Sequence, residues 1–138
     1  MFLKVEKIIV VDPGRSKCGY AVMNMNADIL DKGIAETSGL VIVLGDLICR
    51  NNIRDIVLGK GTFYSAVDQM IKTNFKEVLI HYEEEKNTTF EARKRYFECN
   101  PPQGIWKYIP LGLQAPPVPI DDYAAVIIGE RFIFGHNK

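Results

Sequence analysis

KVEKIIVVDPG, residues 4–14, is a β-branched run that stops abruptly on a turn signal. The run predicts a strand, and Asp12-Pro13-Gly14 ends that strand on a carboxylate. A second strand is expected near Gly19 to Met25 and a third near Ile29 to Thr37, joined by the short polar link Asn26-Ala27-Asp28. So short a link implies antiparallel neighbours, and the chain opens as a three-stranded meander. From Ser38 the spacing changes. Leu40, Val41, Val43, Leu44, Leu47 and Ile48 recur with the period of a helix, with Ser38 placed to cap its start and Asn51 near its end.

Beyond that helix, residues 53–59 (IRDIVLG) read as a buried strand, and Gly59-Lys60-Gly61-Thr62 turns the chain into a helix over roughly 63–73. Residues 76–82 (KEVLIHY) form a fifth strand that runs into Glu83, Glu84 and Glu85. Thr88-Thr89-Phe90-Glu91 has the pattern of a capping box, which starts a helix lasting to about Glu98. Six of the seven prolines fall within residues 99–119, a loop long enough to suggest function. Residues 120–133 then give a final amphipathic helix with Ala124, Ala125, Ile127, Ile128 and Phe132 as its apolar positions. The natural packing is an α/β domain, a mixed five-stranded sheet (three antiparallel strands, then parallel crossovers) flanked by helices.

Bulk properties narrow the function. A length of 138 residues suits one domain spanning 1–138, hence one active site. The 17 basic and 17 acidic residues cancel, so no global field draws in a polyanion, and nucleic-acid binding must come from a local patch or bound cations. Cys18, Cys49 and Cys99 are odd in number and widely spaced, which suits a reducing, cytoplasmic setting, and with only two histidines no zinc-ligand spacing emerges. The apolar run at the start is broken by Lys4, Glu6 and Lys7, so neither a signal peptide nor a membrane span is expected. No organic cofactor is called for.

The carboxylates carry the functional argument. Asp12 ends the first strand, Glu83 to Glu85 follow the fifth, and Asp121 and Asp122 open the last helix. Taken singly, each has a plainer reading as a turn former, a complement to a helix dipole or a cap. Their joint placement at segment ends predicts convergence on one acidic site if the first and fifth strands run parallel and close together. Carboxylate oxygens are what Mg²⁺ and Mn²⁺ prefer, and two such ions about 4 Å apart can drive phosphodiester hydrolysis.

Four segments also resemble a known family. Asp12-Pro13-Gly14-Arg15-Ser16-Lys17-Cys18-Gly19-Tyr20-Ala21-Val22, Ile56-Val57-Leu58-Gly59, Glu84-Glu85-Lys86-Asn87-Thr88-Thr89-Phe90-Glu91-Ala92-Arg93 and Asp121-Asp122-Tyr123-Ala124-Ala125-Val126-Ile127-Ile128 occur in the order of the motifs of the YqgF-type Holliday junction resolvases. That family is also described as pre-16S rRNA nucleases and is related to the RuvC resolvases. The resemblance implies an RNase H-like fold and a divalent-metal-dependent endonuclease. Asp12, Glu84 and/or Glu85, and Asp121 would be its catalytic residues and metal ligands, holding Mg²⁺ or Mn²⁺. The chain resembles a divergent member: Glu84 stands where the family's middle motif has Asp, Lys86 where it has Arg, and Lys60-Gly61-Thr62 where a Leu-Pro stretch is usual.

Contacts to nucleic acid are expected from Arg15 and Lys17 beside Asp12, from Lys60 and Thr62 after the fourth strand, and from Lys86. Arg93 on the third helix and Trp106 with Lys107 in the proline-rich loop complete the set. The substrate would be structured RNA or branched DNA, with a lean towards RNA processing, and the protein a monomer or homodimer. The main rival is a non-catalytic nucleic-acid or protein-binding module that keeps the fold. A two-lobed sugar kinase, which also opens on a strand ending in Asp and Gly, needs a longer chain.

Overall fold

The computed structural model describes residues 5–61, 63–86, 88–104, 108–110, 116 and 119–136. Strands β1 (Lys7–Asp12), β2 (Lys17–Asn24) and β3 (Ile29–Glu36) form the antiparallel meander, followed by helix α1 (Leu40–Asn51). Then come β4 (Asp55–Gly59), α2 (Tyr64–Asn74), β5 (Leu79–Glu83), α3 (Thr88–Cys99) and α4 (Asp121–His136). The sheet order is β3-β2-β1-β4-β5, with β4 parallel to β1 and β5 parallel to β4. This is the predicted mixed sheet.

β1 lies at its centre and both its faces are buried, which is why it reads as an unbroken apolar run. Ile9 and Val11 pack with Leu40, Leu44 and Leu47 of α1 and Val67 and Ile71 of α2. Ile8 and Val10 pack on the other face with Ala125, Val126 and Ile128 of α4. α4 approaches closely because Gly129 lies over β1 and β2: a Cβ there would come within 2.8 Å of Val10 Cγ2 and 2.5 Å of Met23 Sδ.

Several local expectations are corrected. Ser38 does not cap α1. It sits inside a 3₁₀ turn over Thr37–Gly39, and α1 begins after Gly39 with no side-chain cap. The capping box is not formed either: the Thr88 hydroxyl donates backwards to the Glu85 carbonyl at 2.9 Å, and Glu91 pairs with Arg131 at 3.0 Å. β5 starts at Leu79, with Lys76 and Glu77 in the preceding exposed turn. α4 is not amphipathic along its first half. Ala124 to Gly129 are all buried, because the sheet lies on one side and α3 on the other. α3 is clamped to it by Arg95, whose guanidinium forks onto Glu130 at 2.8 and 3.1 Å. No helix among the described residues is long and apolar enough to cross a membrane.

Candidate active site

Parallel pairing of β1, β4 and β5 puts the ends of all three strands at one edge of the sheet, and the acids follow from that. Asp12 is the last residue of β1 and pairs in register with Gly19 of β2. Gly19 faces the start of α4 so closely that a Cβ on it would overlap the Asp121 carbonyl group. The N-terminus of α4 therefore sits over the strand pair that carries Asp12. On the other flank β4 and β5 end together at Gly59 and Glu83, and the chain turns through Glu84 and Glu85 into α3.

Electrostatics record the convergence. Burial pushes the Asp12 carboxyl up to about 9 from an ordinary value near 3.8, reinforced by a hydrogen bond with Glu85 and then by the negative charges of Glu85 and Asp121. Two carboxyl groups in contact share a proton more readily than both ionise. Glu85 Oε1 is buried without a hydrogen-bond partner.

Beside these acids lies a cleft of about 890 Å³ lined by Asp12, Gly14, Arg15, Phe63, Glu85 and Arg93, with Thr88, Thr89 and Phe90 along the α3 side. Arg15 is exposed, whereas Arg93 is half-buried with its Nε unpartnered. The loop carrying Arg15 is pinned to the end of β3: the Thr37 hydroxyl donates to the Gly14 carbonyl at 2.8 Å and its N–H to the Ser16 carbonyl at 2.9 Å.

The structure brings Asp12, Glu85 and Asp121 into one neighbourhood and leaves Glu84 outside the cleft. The Glu84 side chain is exposed and its carbonyl accepts from Arg131 at 3.2 Å. Asp121 is paired with Lys17 at 3.5 Å, and Asp122 with Lys32 at 2.7 Å. Among the described residues no group of three His, Cys, Asp or Glu side chains is placed to hold a metal ion. Of the expected phosphate contacts, Arg15 and Arg93 line the cleft, while Lys60 and Lys86 are exposed on the turns after β4 and before α3. Thr62, Trp106 and Lys107 lie outside the described residues. Arg93-Lys94-Arg95 does not act as one basic face, because Arg95 turns to Glu130.

Phe63 and Phe90 were not anticipated. Phe90 lies one heptad before the buried Phe97, on the same side of α3, so helix spacing alone reads it as core rather than as cleft lining. Phe63 carries no comparable mark.

The sequence matches no family model and no curated protein. The fold, however, matches solved structures over nearly its whole length. RuvC from Thermus thermophilus in complex with Holliday junction substrate superposes with a TM-score of 0.62 at 14% identity, covering 96% of both chains. Fowlpox virus resolvase in complex with substrate Holliday junction DNA gives 0.61 at 16% identity, over 96% of this chain and 99% of that one. A second Thermus thermophilus RuvC structure gives 0.57 at 12% identity, over 95% and 96%. The architecture is the RNase H-like fold of the RuvC-like resolvases.

Proposed function

We propose that the chain is a divalent-cation-dependent endonuclease that hydrolyses phosphodiester bonds in branched or structured nucleic acid. The observation that carries this is the meeting of Asp12, Glu85 and Asp121, delivered by β1, the β5–α3 turn and α4, next to a cleft that also holds Arg15 and Arg93.

The donor set fits a hard cation. Asp12 keeps its proton beside the Glu85 carboxylate, and Glu85 Oε1 is buried with nothing to bond. A cation in place of that proton satisfies both groups. Mg²⁺ commonly takes one or two carboxylates and completes its shell with water and substrate phosphate, so a pair suffices where no three-ligand group is formed. Asp12 and Glu85 would hold the ion, and Asp121 would add negative charge from the end of α4. When bound, the ion supplies Lewis-acid stabilisation of phosphoryl oxygens and a more acidic water.

The chain's own contributions are positional. Arg15 and Arg93 present guanidinium groups to phosphate oxygens, which they can grip with two parallel hydrogen bonds. Asp12 must release its proton for the ion to enter, which couples loading of the site to pH. Lys60 and Lys86, exposed on the turns after β4 and before α3, would add further phosphate contacts.

The resemblance in the motifs points to ribosomal RNA processing in the cytoplasm, whereas two of the structures of similar fold were solved with junction DNA, so both substrates belong in the test. A four-way DNA junction and an RNA hairpin are incubated with Mn²⁺ or Mg²⁺ between pH 7 and 9. Wild type is expected to cut at least one of them, and Asp12→Asn to lower the rate by 100-fold or more, on the order of the loss when a preorganised group is removed. A second reading, a binding module without chemistry, draws on the Lys17–Asp121 pair, in which the chain's own cation already neutralises one of the three acids. It would be upheld if wild type binds either substrate but cuts neither.

A further inference from the structure

The Glu85 carboxylate rests against the loop joining β4 to α2. A Cβ on Gly61 would overlap Glu85 Oε2 and come within 2.8 Å of Oε1, and a Cβ on Gly59 would lie 3.4 Å from Oε1. Neither backbone is free to retreat. The Lys60 N–H donates to the Glu83 carbonyl at 2.9 Å, tying the loop to the end of β5, and the Tyr64 N–H donates to the Gly61 carbonyl at 3.2 Å, closing the turn into α2. Opposite, the Thr88 N–H and hydroxyl both donate to the Glu85 carbonyl, at 3.2 and 2.9 Å, fixing where that side chain leaves the backbone.

With both backbones tethered, the only part able to yield is the flexible end of Glu85. We infer that Gly61 is a positioning residue for Glu85: the bare backbone at position 61 is the space in which the Glu85 carboxylate lies to meet Asp12. A methyl group there would leave the fold nearly intact, since a side-chain end moves more cheaply than a main chain, but would displace an oxygen of the pair. The role deepens the reading of Asp12 and Glu85 as the cation-holding pair and rests on it.

The test uses Gly61→Ala, Glu85→Asp, their combination, and Gly39→Ala as a control, because a Cβ on Gly39 meets nothing within 4 Å. Without metal, Gly61→Ala is expected to melt within about 2 °C of wild type, a change well under 1 kcal/mol. Its stabilisation by Mn²⁺ should vanish and its cleavage rate should fall about 100-fold, the penalty of misplacing a group by an ångström. Shortening the side chain returns the space, so Gly61→Ala/Glu85→Asp should recover Mn²⁺ stabilisation and rate relative to Gly61→Ala. A merely structural role for Gly61 predicts no such rescue. Gly39→Ala should behave as wild type.

Unchanged Mn²⁺ stabilisation in Gly61→Ala, or a double variant no better than the single, overturns the inference. Should wild type neither bind Mn²⁺ nor cleave, the nuclease reading fails on its own, and the geometry is then read in the metal-free protein. A nuclear Overhauser contact between Gly61 Hα and Glu85 Hγ upholds the placement, and its absence overturns it.

Discussion

Asp12 keeps at neutral pH a proton that an ordinary aspartate has lost, and this has a thermodynamic cost. Its carboxyl titrates near 9 in the folded chain against about 3.8 when free. Below pH 3.8 both states carry the proton, and the site's contribution to stability is at its most favourable. Between 3.8 and 9 the folded state holds a proton that the unfolded state releases, so the favourable balance present at low pH is lost as pH rises, levelling off above about 9. The metal-free protein should therefore be progressively less stable in urea from pH 5 to pH 9. Asp12→Asn removes that carboxyl and should flatten the profile and raise stability at pH 8.5 above wild type. If the two profiles run parallel, Asp12 is not the group responsible.

Gly19 does for α4 what the strand register does for β1: it sets how near the helix start can come to Asp12. Because a Cβ there would strike main-chain atoms of Asp121, Gly19→Ala forces the helix end to lift. The expected loss is about 1–3 kcal/mol by urea denaturation, the usual penalty for an overpacked contact, with a larger fractional loss of cleavage than of stability. Wild-type stability with wild-type cleavage would mean that α4 can slide without consequence.

The same neighbourhood shows where sequence reasoning works and where it stops. β1 was legible because burial on both faces leaves an uninterrupted apolar run, and Asp12-Pro13-Gly14 can only be a turn. α1 was legible from its spacing, but its start was not: Ser38 has a capping residue's chemistry, yet backbone geometry around Gly39 begins the helix instead. β5 was begun too early because Lys76-Glu77 ahead of three apolar residues mimics a strand entrance. Which glutamate turns inward depends on where β5 releases the chain. It ends at Glu83, leaving Glu84 outward beside Arg131 and Glu85 inward. Phe63 was invisible because its place in the cleft is set by α2 packing against the sheet, which no local pattern encodes.

Taken together, the site and the fold are coupled through one equilibrium. An ion that binds only the folded chain raises its stability by mass action, and here it must displace a proton to enter. The rise in melting temperature on adding Mn²⁺ should therefore be larger at pH 8 than at pH 6, a difference that Asp12→Asn abolishes. Equal shifts at the two pH values would separate ion binding from the Asp12–Glu85 pair.

α4 covers one entire face of the sheet through Ala125, Val126 and Ile128, yet it comes last among the described segments. During synthesis from the N-terminus, β1 to β5 thus leave the ribosome with Ile8, Val10, Ala21, Met23 and Val57 bare on that side. A fragment stopping short of Asp121 should bind a hydrophobic dye and aggregate. Since Asp121 arrives on the same helix that shields this surface, the nascent chain acquires its third acid only when it also becomes safe from sticking to its neighbours.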